Sequence, residues 1–182
     1  MCTRTVVLHG SPRRGGNSDT LVEHFLRGLT ESGVHEVTHF YLNDMEIRPC
    51  QGCLGCNEPP YECVIDDDMT DIYGAYREAD LVMWATPMYW GYLTAQMKTA
   101  QDRMEALAVR GFGGKTFVVI VTYNHHFESA VGMFERICPF FDVVLHTLVC
   151  RTFDPETRRD IPVEELPDKL EEAYRLGRKL SS

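Results

Sequence analysis

Residues 5–32 read TVVLHGSPRRGGNSDTLVEHFLRGLTES, an apolar β-branched run followed by a glycine-rich turn and a helical pattern. This alternation recurs along the chain and predicts strands over Thr5–Leu8, Val37–Leu42, Leu81–Ala85, Phe117–Val121 and Val143–Val149. It predicts helices over Asp19–Ser32, Met69–Ala79, Leu93–Ala108, Glu128–Phe141 and about Val163–Leu180. Near-continuous apolar runs such as FVVIVTY (residues 117–123) are typical of strands covered on both faces. Five strand–helix units therefore predict an α/β fold, with an open, doubly wound parallel sheet and helices on both faces.

The composition narrows the class of protein. The chain has 182 residues, with 18 Lys and Arg against 27 Asp and Glu, and a formal net charge of −9. A duplex DNA or an anionic membrane would require a basic face, so we expect no nucleic-acid partner and no membrane partner. No apolar run approaches the roughly 18 residues of a membrane helix, and Met1 leads directly into a strand-like run rather than into a signal peptide. We therefore expect a cytoplasmic protein folded as one domain.

The first loop, Gly10–Ser18, has the features of a phosphate site. Open α/β sheets bind ligands at the carboxyl ends of their strands, and this loop runs from such an end into a helix N-terminus. The N-terminus supplies backbone N–H groups and a dipole that favours an anion. Short donors and cations accompany it, namely Ser11, Asn17, Ser18, Thr20 and either Arg13 or Arg14. The spacing matches neither a Walker A loop nor G-x-G-x-x-G, so it favours a monophosphate; the alternative is a solvated turn that binds nothing.

The loop after the third strand is apolar, although most loops are polar. Pro87 and Gly91 bracket three bulky side chains, Met88, Tyr89 and Trp90. A flat ring such as an isoalloxazine could lie against such a turn, with its polar edge satisfied by backbone groups. A subunit interface is the alternative, because Tyr and Trp are enriched at interfaces, and both interpretations can hold together.

Four of the seven cysteines, Cys50, Cys53, Cys56 and Cys63, form a C-x2-C-x2-C-x6-C pattern after the second strand. Three thiols at two-residue intervals can converge on one side of a compact loop, and the fourth can close the cage that an iron–sulfur cluster requires. A zinc site and a reduced loop without metal remain as alternatives. Because strand two is expected beside strand one, this loop should leave the sheet at the same edge as the phosphate loop.

The neighbouring acidic run and the other cysteines are expected to be structural. Asp66–Asp68 lacks the alternating spacing of a calcium loop and is expected to cap the following helix. Cys2, Cys138 and Cys150 lack ligand spacing, and the last two lie in apolar stretches typical of a core.

Three motifs in this order, GSPRRGGNSDTL (10–21), PCQGCLGC (49–56) and TPMYWGYLTAQMKTAQDR (86–103), resemble the flavodoxin-fold NAD(P)H-dependent FMN reductase family. Within that family the chain is most similar to the iron–sulfur flavoproteins. The resemblance implies one flavodoxin-like FMN-binding domain over residues 1–182, with five parallel strands for which we expect the order 2-1-3-4-5.

The resemblance also implies ligands and an assembly. The FMN phosphate would lie on Ser11, Arg13, Asn17 and Ser18, and the isoalloxazine against Pro87, Met88, Tyr89, Trp90 and Gly91. A [4Fe–4S] cluster would be held by Cys50, Cys53, Cys56 and Cys63, in the cysteine-rich loop 50–63. Family members commonly form dimers or tetramers, so a homodimer or homotetramer is expected.

The chain departs from the family after the fourth strand, where many relatives have a glycine-rich turn and this chain has Thr122 to His126. Thr122 is a further candidate contact to the flavin. The larger side chains would narrow the pocket beside it, so the substrate cannot be inferred from relatives. For His125 and His126 we favour a solvated position over a contact to flavin or substrate.

The expected function is that of an FMN-dependent oxidoreductase taking hydride from NADH or NADPH and passing electrons to a small acceptor, such as a quinone, free flavin or metal ion. No side-chain acid or base is expected to be catalytic, since the flavin carries the chemistry. If the cluster is present, the enzyme would split the hydride pair into single electrons passed between FMN and the cluster. The alternatives are a non-catalytic electron carrier that accepts from ferredoxin and a regulatory or binding module, because a fold does not fix a function.

Overall fold

The central sheet has five parallel strands. The structure, a computed structural model, describes residues 3–31 and 33–181. Its main strands in chain order are β1 (Thr3–His9), β2 (His35–Tyr41), β3 (Leu81–Tyr89), the two-residue β4 (Tyr92–Leu93), β5 (Thr116–Tyr123) and β6 (Val144–Arg151). Strand β4 pairs antiparallel with the end of β3, and the parallel strands are ordered β2-β1-β3-β5-β6. Counted over the parallel strands, this is the predicted 2-1-3-4-5 order, so the flavodoxin-like fold is confirmed.

Helices cover both faces of the sheet. They are α1 (Asn17–Thr30), α2 (Met69–Glu78), α3 (Ala95–Asp102), α4 (Glu128–Ile137) and α5 (Pro167–Leu180). Successive residues of a strand point to opposite faces, so Val7 packs in the core under α1 and α5, whereas Leu8 packs in the core under α2, α3 and α4. Both cores are buried and apolar, which explains why near-continuous apolar runs form these strands.

Helices α1 and α5 cross closely at two glycines. A Cβ atom on Gly28 would lie 2.1 Å from the carbonyl oxygen of Tyr174, and one on Gly177 would lie 2.0 Å from the carbonyl oxygen of Phe25. No side chain fits at either position, so the two helix backbones are in direct contact there.

The predicted third helix, Leu93–Ala108, is wrong at both ends. Leu93 lies in β4, and α3 ends at Asp102 before a 3-10 turn over Met104–Leu107. Thr94 sets the start of α3, because its hydroxyl accepts a hydrogen bond from the N–H of Met97 as an N-cap.

Smaller boundary differences affect the other helices. Helix α1 begins at Asn17 rather than Asp19, and the predicted end at Ser32 lies outside the described residues. The fourth predicted helix ends at Ile137 and continues as a 3-10 turn that contains Pro139. Helix α5 starts at Pro167, the usual position of a proline in the first turn, and not near Val163.

The segment after β6 contains a hairpin that the sequence analysis missed. Strands β7 (Phe153–Asp154) and β8 (Arg159–Asp160) pair antiparallel. The turn between them is held by Asp154, whose carboxylate accepts hydrogen bonds from the N–H of Glu156 and the hydroxyl of Thr157.

Candidate functional site

The loop between β1 and α1 is anchored at Gly10. Its N–H donates to the carbonyl of Ala85 (2.8 Å), and its carbonyl accepts from the hydroxyl of Thr94 (2.6 Å). A Cβ atom on Gly10 would lie 2.9 Å from the Cβ of Met97, so this close approach to α3 requires glycine. The loop therefore leaves the sheet in a fixed position beside the start of α3.

Two predicted phosphate ligands shape the loop through their side chains. The hydroxyl of Ser11 accepts from the N–H of Arg13 (3.1 Å) and donates to the carbonyl of Arg13 (3.0 Å), which closes a turn. The amide of Asn17 accepts from the N–H of Val163 (2.9 Å) and donates to the carbonyl of Ile161 (3.3 Å). Helix α1 itself begins without a side-chain cap, so its first N–H groups are not satisfied by a capping side chain.

The two adjacent arginines of the loop face different surroundings. Arg14 forms an ion pair with Asp44, and its guanidinium carbon lies 3.2 Å from the ring centroid of Tyr41. The hydrogen bond from Arg14 lowers the pKa of Asp44 below its ordinary value. Arg13 is exposed and lines a pocket at the start of α1. Of the two cations that the sequence left open, Arg13 is therefore the one beside the candidate phosphate position.

This pocket, which we call the loop pocket, has a volume of about 300 Å³ and lies at the carboxyl ends of β1, β3 and β5. Eight of the ten predicted FMN contacts line it together: Ser11, Arg13, Asn17, Ser18, Pro87, Met88, Tyr89 and Thr122. Pro87 and Thr122 are register partners on adjacent strands, which brings the apolar turn next to the end of β5.

The other two predicted contacts, Trp90 and Gly91, do not line the loop pocket. They form the tip of the turn between β3 and β4, where both residues have positive φ angles of 50° and 81°. Trp90 is fully exposed there, in contrast to Trp84, which is 2% exposed inside β3. The tip therefore projects into solvent in the single chain.

The loop pocket also includes four residues outside the ten predicted contacts. Gly16 and Asn124 lie in segments that the sequence analysis had placed at the site, whereas Thr152 and Asp160 were missed. Two hydrogen bonds of 2.9 Å bring Thr152 and Asp160 to the loop pocket. The N–H of Thr152 donates to the carbonyl of Tyr123, and the carbonyl of Thr152 accepts from the N–H of Ile161. The pair Asp154-Pro155, a turn signal, could have revealed the hairpin that carries Asp160.

The two histidines after β5 are solvated, which is the position that the sequence analysis favoured. His125 and His126 are exposed, and neither lines the loop pocket. The ring of His125 contacts Phe153 edge-on, and His126 lies 4.0 Å from the carboxylate of Glu128. Thr122, by contrast, is buried at the end of β5.

A hydrogen-bonded Asp–His–His chain contacts the phosphate loop; its members Asp19 and His9 are buried, and His39 at its end is exposed. Asp19 accepts a hydrogen bond from the N–H of Gly15 (2.8 Å), and its other oxygen lies 2.8 Å from Nδ1 of His9. Nε2 of His9 lies 3.0 Å from Nδ1 of His39, and the His9 ring stacks on Tyr41. Burial, and next the nearby His9, lower the pKa of His39 below its ordinary value. Sequence reasoning missed this chain, because its members are distant in sequence.

The four clustered cysteines line one small pocket of about 50 Å³, which we call the thiol pocket. Cys50 and Cys53 are exposed, whereas Cys56 and Cys63 are half-buried. Burial raises the pKa of the Cys56 thiol, and the nearby charges of Glu105, Cys63 and Cys50 raise it further. Within the described residues no group of three or more His, Cys, Asp or Glu side chains is arranged to hold a single metal ion. Four thiols around one pocket nevertheless are the donor set of an iron–sulfur cluster.

The acidic run caps α2 as expected, but through Asp67 and not through Asp68, the residue at the N-cap position. Asp68 occupies the N-cap position, but its carboxylate accepts from the N–H of Glu46 (2.7 Å). Asp67 instead accepts from the N–H of Met69 (3.1 Å) and forms an ion pair with Arg103 (2.8 Å). Asp67 therefore links the start of α2 to the residue that follows α3.

Two of the remaining cysteines are core residues. Cys138 and Cys150 are buried, and burial raises the pKa of each thiol to about 11. Cys2 lies outside the described residues.

Helix α3 connects the surroundings of the two pockets. Its cap, Thr94, binds Gly10 of the phosphate loop, and the residues that follow its end, Arg103 and Glu105, line the thiol pocket. Eight residues of helix are about 12 Å long, and the two pockets share no lining residue. Both loops leave the same sheet edge, as expected, but the thiol pocket lies at the far end of α3.

Two sequence relatives are iron–sulfur flavoproteins of archaea. One, from Methanosarcina thermophila, is 38% identical over 111 residues, which is 61% of this chain and 57% of that protein. The other, from Methanocaldococcus jannaschii, is 36% identical over 150 residues, which is 80% of this chain and 74% of that protein. The chain thus spans between about half and three quarters of the length of these relatives.

Among solved structures, an FMN-dependent NADH-azoreductase from Bacillus anthracis in complex with FMN superposes with a TM-score of 0.74. The match covers 99% of this chain and 100% of that one at 14% identity, so the likeness concerns the fold. None of the helices in the described part of the chain is long and apolar enough to cross a membrane. The family model for NADPH-dependent FMN reductases matches residues 3–153, and the chain belongs to this family.

Proposed function

We propose that the protein is an FMN-dependent oxidoreductase that takes a hydride from NADH or NADPH and passes electrons to a small acceptor such as a quinone or free flavin. One observation carries this proposal: the loop pocket combines an uncapped helix N-terminus, an exposed cation and an apolar turn at the switch-point edge of the sheet. FMN, when bound, supplies the hydride and electron chemistry. The proposal treats residues 1–182 as one domain in the cytoplasm.

Different residues of the loop pocket bind different parts of FMN. The first N–H groups of α1, the hydroxyl of Ser18 and the guanidinium of Arg13 hold the phosphate. The apolar side of the pocket, from Pro87 to Tyr89, flanks the ring system and excludes water from it. Thr122 at the end of β5 satisfies a polar edge of the ring. Trp90, exposed at the turn tip, covers the flavin of a neighbouring protomer in a homodimer or homotetramer.

We further propose that Cys50, Cys53, Cys56 and Cys63 hold a [4Fe–4S] cluster. The regular spacing, the common thiol pocket and the iron–sulfur flavoproteins among the relatives support this assignment. An all-cysteine zinc site and a metal-free loop are the competing possibilities.

The test for the thiol pocket is anaerobic purification followed by an absorption spectrum and by iron, sulfide and zinc analysis. We expect broad absorbance near 400 nm and about four irons per chain. Zinc in place of iron, or flavin bands alone, would exclude the cluster.

A second candidate function is a non-catalytic electron carrier that accepts from ferredoxin, and the iron–sulfur flavoproteins among the relatives favour it. Anaerobic stopped-flow reduction of the FMN-loaded protein distinguishes the two. We expect either NADH or NADPH to bleach the flavin. Bleaching by reduced ferredoxin alone would exclude the reductase, and a protein that binds no added FMN would exclude both functions.

A further inference from the structure

Arg103 is a buried cation placed between the two stems of the cysteine loop. It follows the end of α3 and is 2% exposed. Its Nη1 donates to the carbonyl of Arg48 (2.8 Å), and its Nη2 donates to the carbonyl of Ile65 (3.3 Å). Arg48 precedes Cys50 by two residues and Ile65 follows Cys63 by two residues. A single guanidinium therefore fastens both ends of the loop.

The guanidinium of Arg103, which we call the clamp, is itself held in position by neighbouring residues. Asp67 accepts from both terminal nitrogens of Arg103, at 2.8 and 3.2 Å, and also accepts from the N–H of Arg48 (2.9 Å). The carbonyl of Arg103 accepts from the hydroxyl of Tyr73 on α2 (2.8 Å). Because a planar guanidinium held at four points cannot rotate, the stems keep one relative position.

One donor of Arg103 is left over. Its Nε is buried and has no hydrogen-bond partner among the described residues, although leaving a buried donor unpaired is costly. Arg103 lines the thiol pocket together with all four cysteines. This N–H therefore lacks a hydrogen-bond acceptor. A thiolate or a sulfide bound in the pocket would supply one.

The charge of Arg103 also suits the thiol pocket. Four thiolates bring negative charge, and Glu105 on the lining adds to it; Asp102, which also lines the pocket, is paired with Lys98. Arginine stays protonated in proteins and is weakly hydrated, so it can remain charged when buried. Asp67 pairs with Arg103 but does not line the pocket, so the guanidinium faces the thiols as the positive end of this ion pair.

We propose that Arg103 is the positioning residue of the thiol pocket, which holds the four thiols around one centre and donates its Nε–H to a sulfur of the cluster bound there. This inference rests on the proposed cluster. Hydrogen bonds to cluster sulfurs and nearby positive charge stabilise the reduced form and raise the reduction potential. Arg103 thus sets the potential of the cluster as well as its geometry.

Three variants test the role of Arg103. Arg103→Lys keeps the charge but removes Nε and the planar fork. Arg103→Met combined with Asp67→Asn removes both buried charges together, so neither is left unpaired. Arg48→Met is the matched control for the contact to sulfur. The half-exposed side chain of Arg48 also joins the two stems, because it donates to the carbonyl of Asp66 (2.6 Å) and lies 3.8 Å from Asp67, but it does not line the thiol pocket.

The first measurement is a dye-mediated redox titration of the cluster, with iron and sulfide content determined on the same samples. We expect Arg48→Met to keep the potential of the parent protein, Arg103→Lys to lower it, and the double variant to lower it further or to lose iron. A parent potential and full iron content in both Arg103 variants would overturn the proposal.

The second measurement needs no cluster. Alkylation of the reduced apo-protein, followed at each cysteine by mass spectrometry, reports whether the loop is held. We expect Cys56 and Cys63 to react several-fold faster in both Arg103 variants than in the parent and in Arg48→Met. If the parent protein holds no iron, the proposal of a cluster is wrong, and the alkylation rates alone test whether Arg103 holds the cysteine loop. Unchanged rates in the Arg103 variants would then show that it does not.

Discussion

Arg13 and Arg14 are adjacent in sequence, but only Arg13 lines the loop pocket. We expect Arg13→Met to weaken FMN binding by about 1.5–3 kcal/mol, or roughly ten- to hundredfold in Kd, because it removes a charged donor to the phosphate. Arg14→Met breaks an exposed pair with Asp44 and should change the Kd less than about threefold. Titration of FMN into the apo-proteins measures both values. An equal loss in the two variants would contradict the assignment.

The residues of the loop alone left the choice between these arginines open, and only the family resemblance indicated Arg13. Arg14 is engaged by Asp44 and Tyr41, which lie about thirty residues further along the chain and reach it only because β2 pairs with β1. By contrast, Ser11, Ser18 and Pro87 could be predicted as lining residues, because each follows directly from its place at a strand end or a helix start.

His39 gives the stability of the protein a pH dependence. Its pKa in the folded protein is below the ordinary value of about 6.5, so the unfolded chain binds a proton more readily than the folded one. The free energy of unfolding should therefore fall as pH drops below about 6.5. His146, whose pKa burial also lowers, acts in the same direction.

Urea unfolding at pH 7.5 and pH 5.5 measures this effect. We expect His39→Gln to show a smaller loss between the two pH values than the parent, and the double variant with His146→Gln a smaller loss still. A loss as large in the double variant as in the parent would show that other groups cause it.

The crossing of helices α1 and α5 depends on glycine. Gly177→Ala should lower the free energy of unfolding by about 1–3 kcal/mol, because its Cβ would overlap the carbonyl of Phe25. Gly74→Ala in α2 is the matched control, since nothing lies within 4 Å of its Cβ position. That change should stabilise the protein by up to about 1 kcal/mol, as alanine favours helix. Denaturant unfolding of both variants measures the two changes in the free energy of unfolding, which should have opposite signs.

The existence of the main elements could be predicted, but several of their ends could not. The apolar runs identified all five parallel strands. The signal is strongest for β1, β3 and β5, which are buried on both faces, whereas the edge strands β2 and β6 are mostly exposed or half-buried. The start of α3 depends on the hydroxyl of Thr94, which binds both Met97 and Gly10, and the second of these contacts is visible only in the folded chain. The short strands β7 and β8 have too few residues to show a periodic pattern.

At the scale of the whole molecule, the separation of the two pockets predicts independent binding. Cys53→Ser should abolish the cluster yet leave the Kd for FMN within about twofold, because no residue lines both pockets. Cys150→Ala, in the core on the other face, should keep its iron. Iron analysis and FMN titration of the purified variants measure the two properties. Loss of FMN from Cys53→Ser would show that the cysteine loop supports the whole sheet edge.

The topology was predictable and the arrangement of the pockets was not. Strand order follows from right-handed crossovers and short connections, which leave few alternatives for five strand–helix units. The position of the thiol pocket depends on Arg103 meeting Arg48, Ile65 and Asp67, three contacts between residues at least 36 positions apart. The sequence spacing shows that four thiols can converge, but it does not show that Arg103 lies beside them.

The contrast between the two tryptophans makes the chain its own optical sensor. Trp84 is enclosed by the core and Trp90 is exposed to solvent at the tip of the turn between β3 and β4, so the two indoles emit at different wavelengths. If Trp90 covers the flavin of a neighbouring protomer, as proposed above, a bound flavin would quench the long-wavelength emission of Trp90, whereas melting of the core moves the short-wavelength emission of Trp84 to the red. A single emission spectrum therefore distinguishes release of the cofactor from loss of the fold, with no label attached.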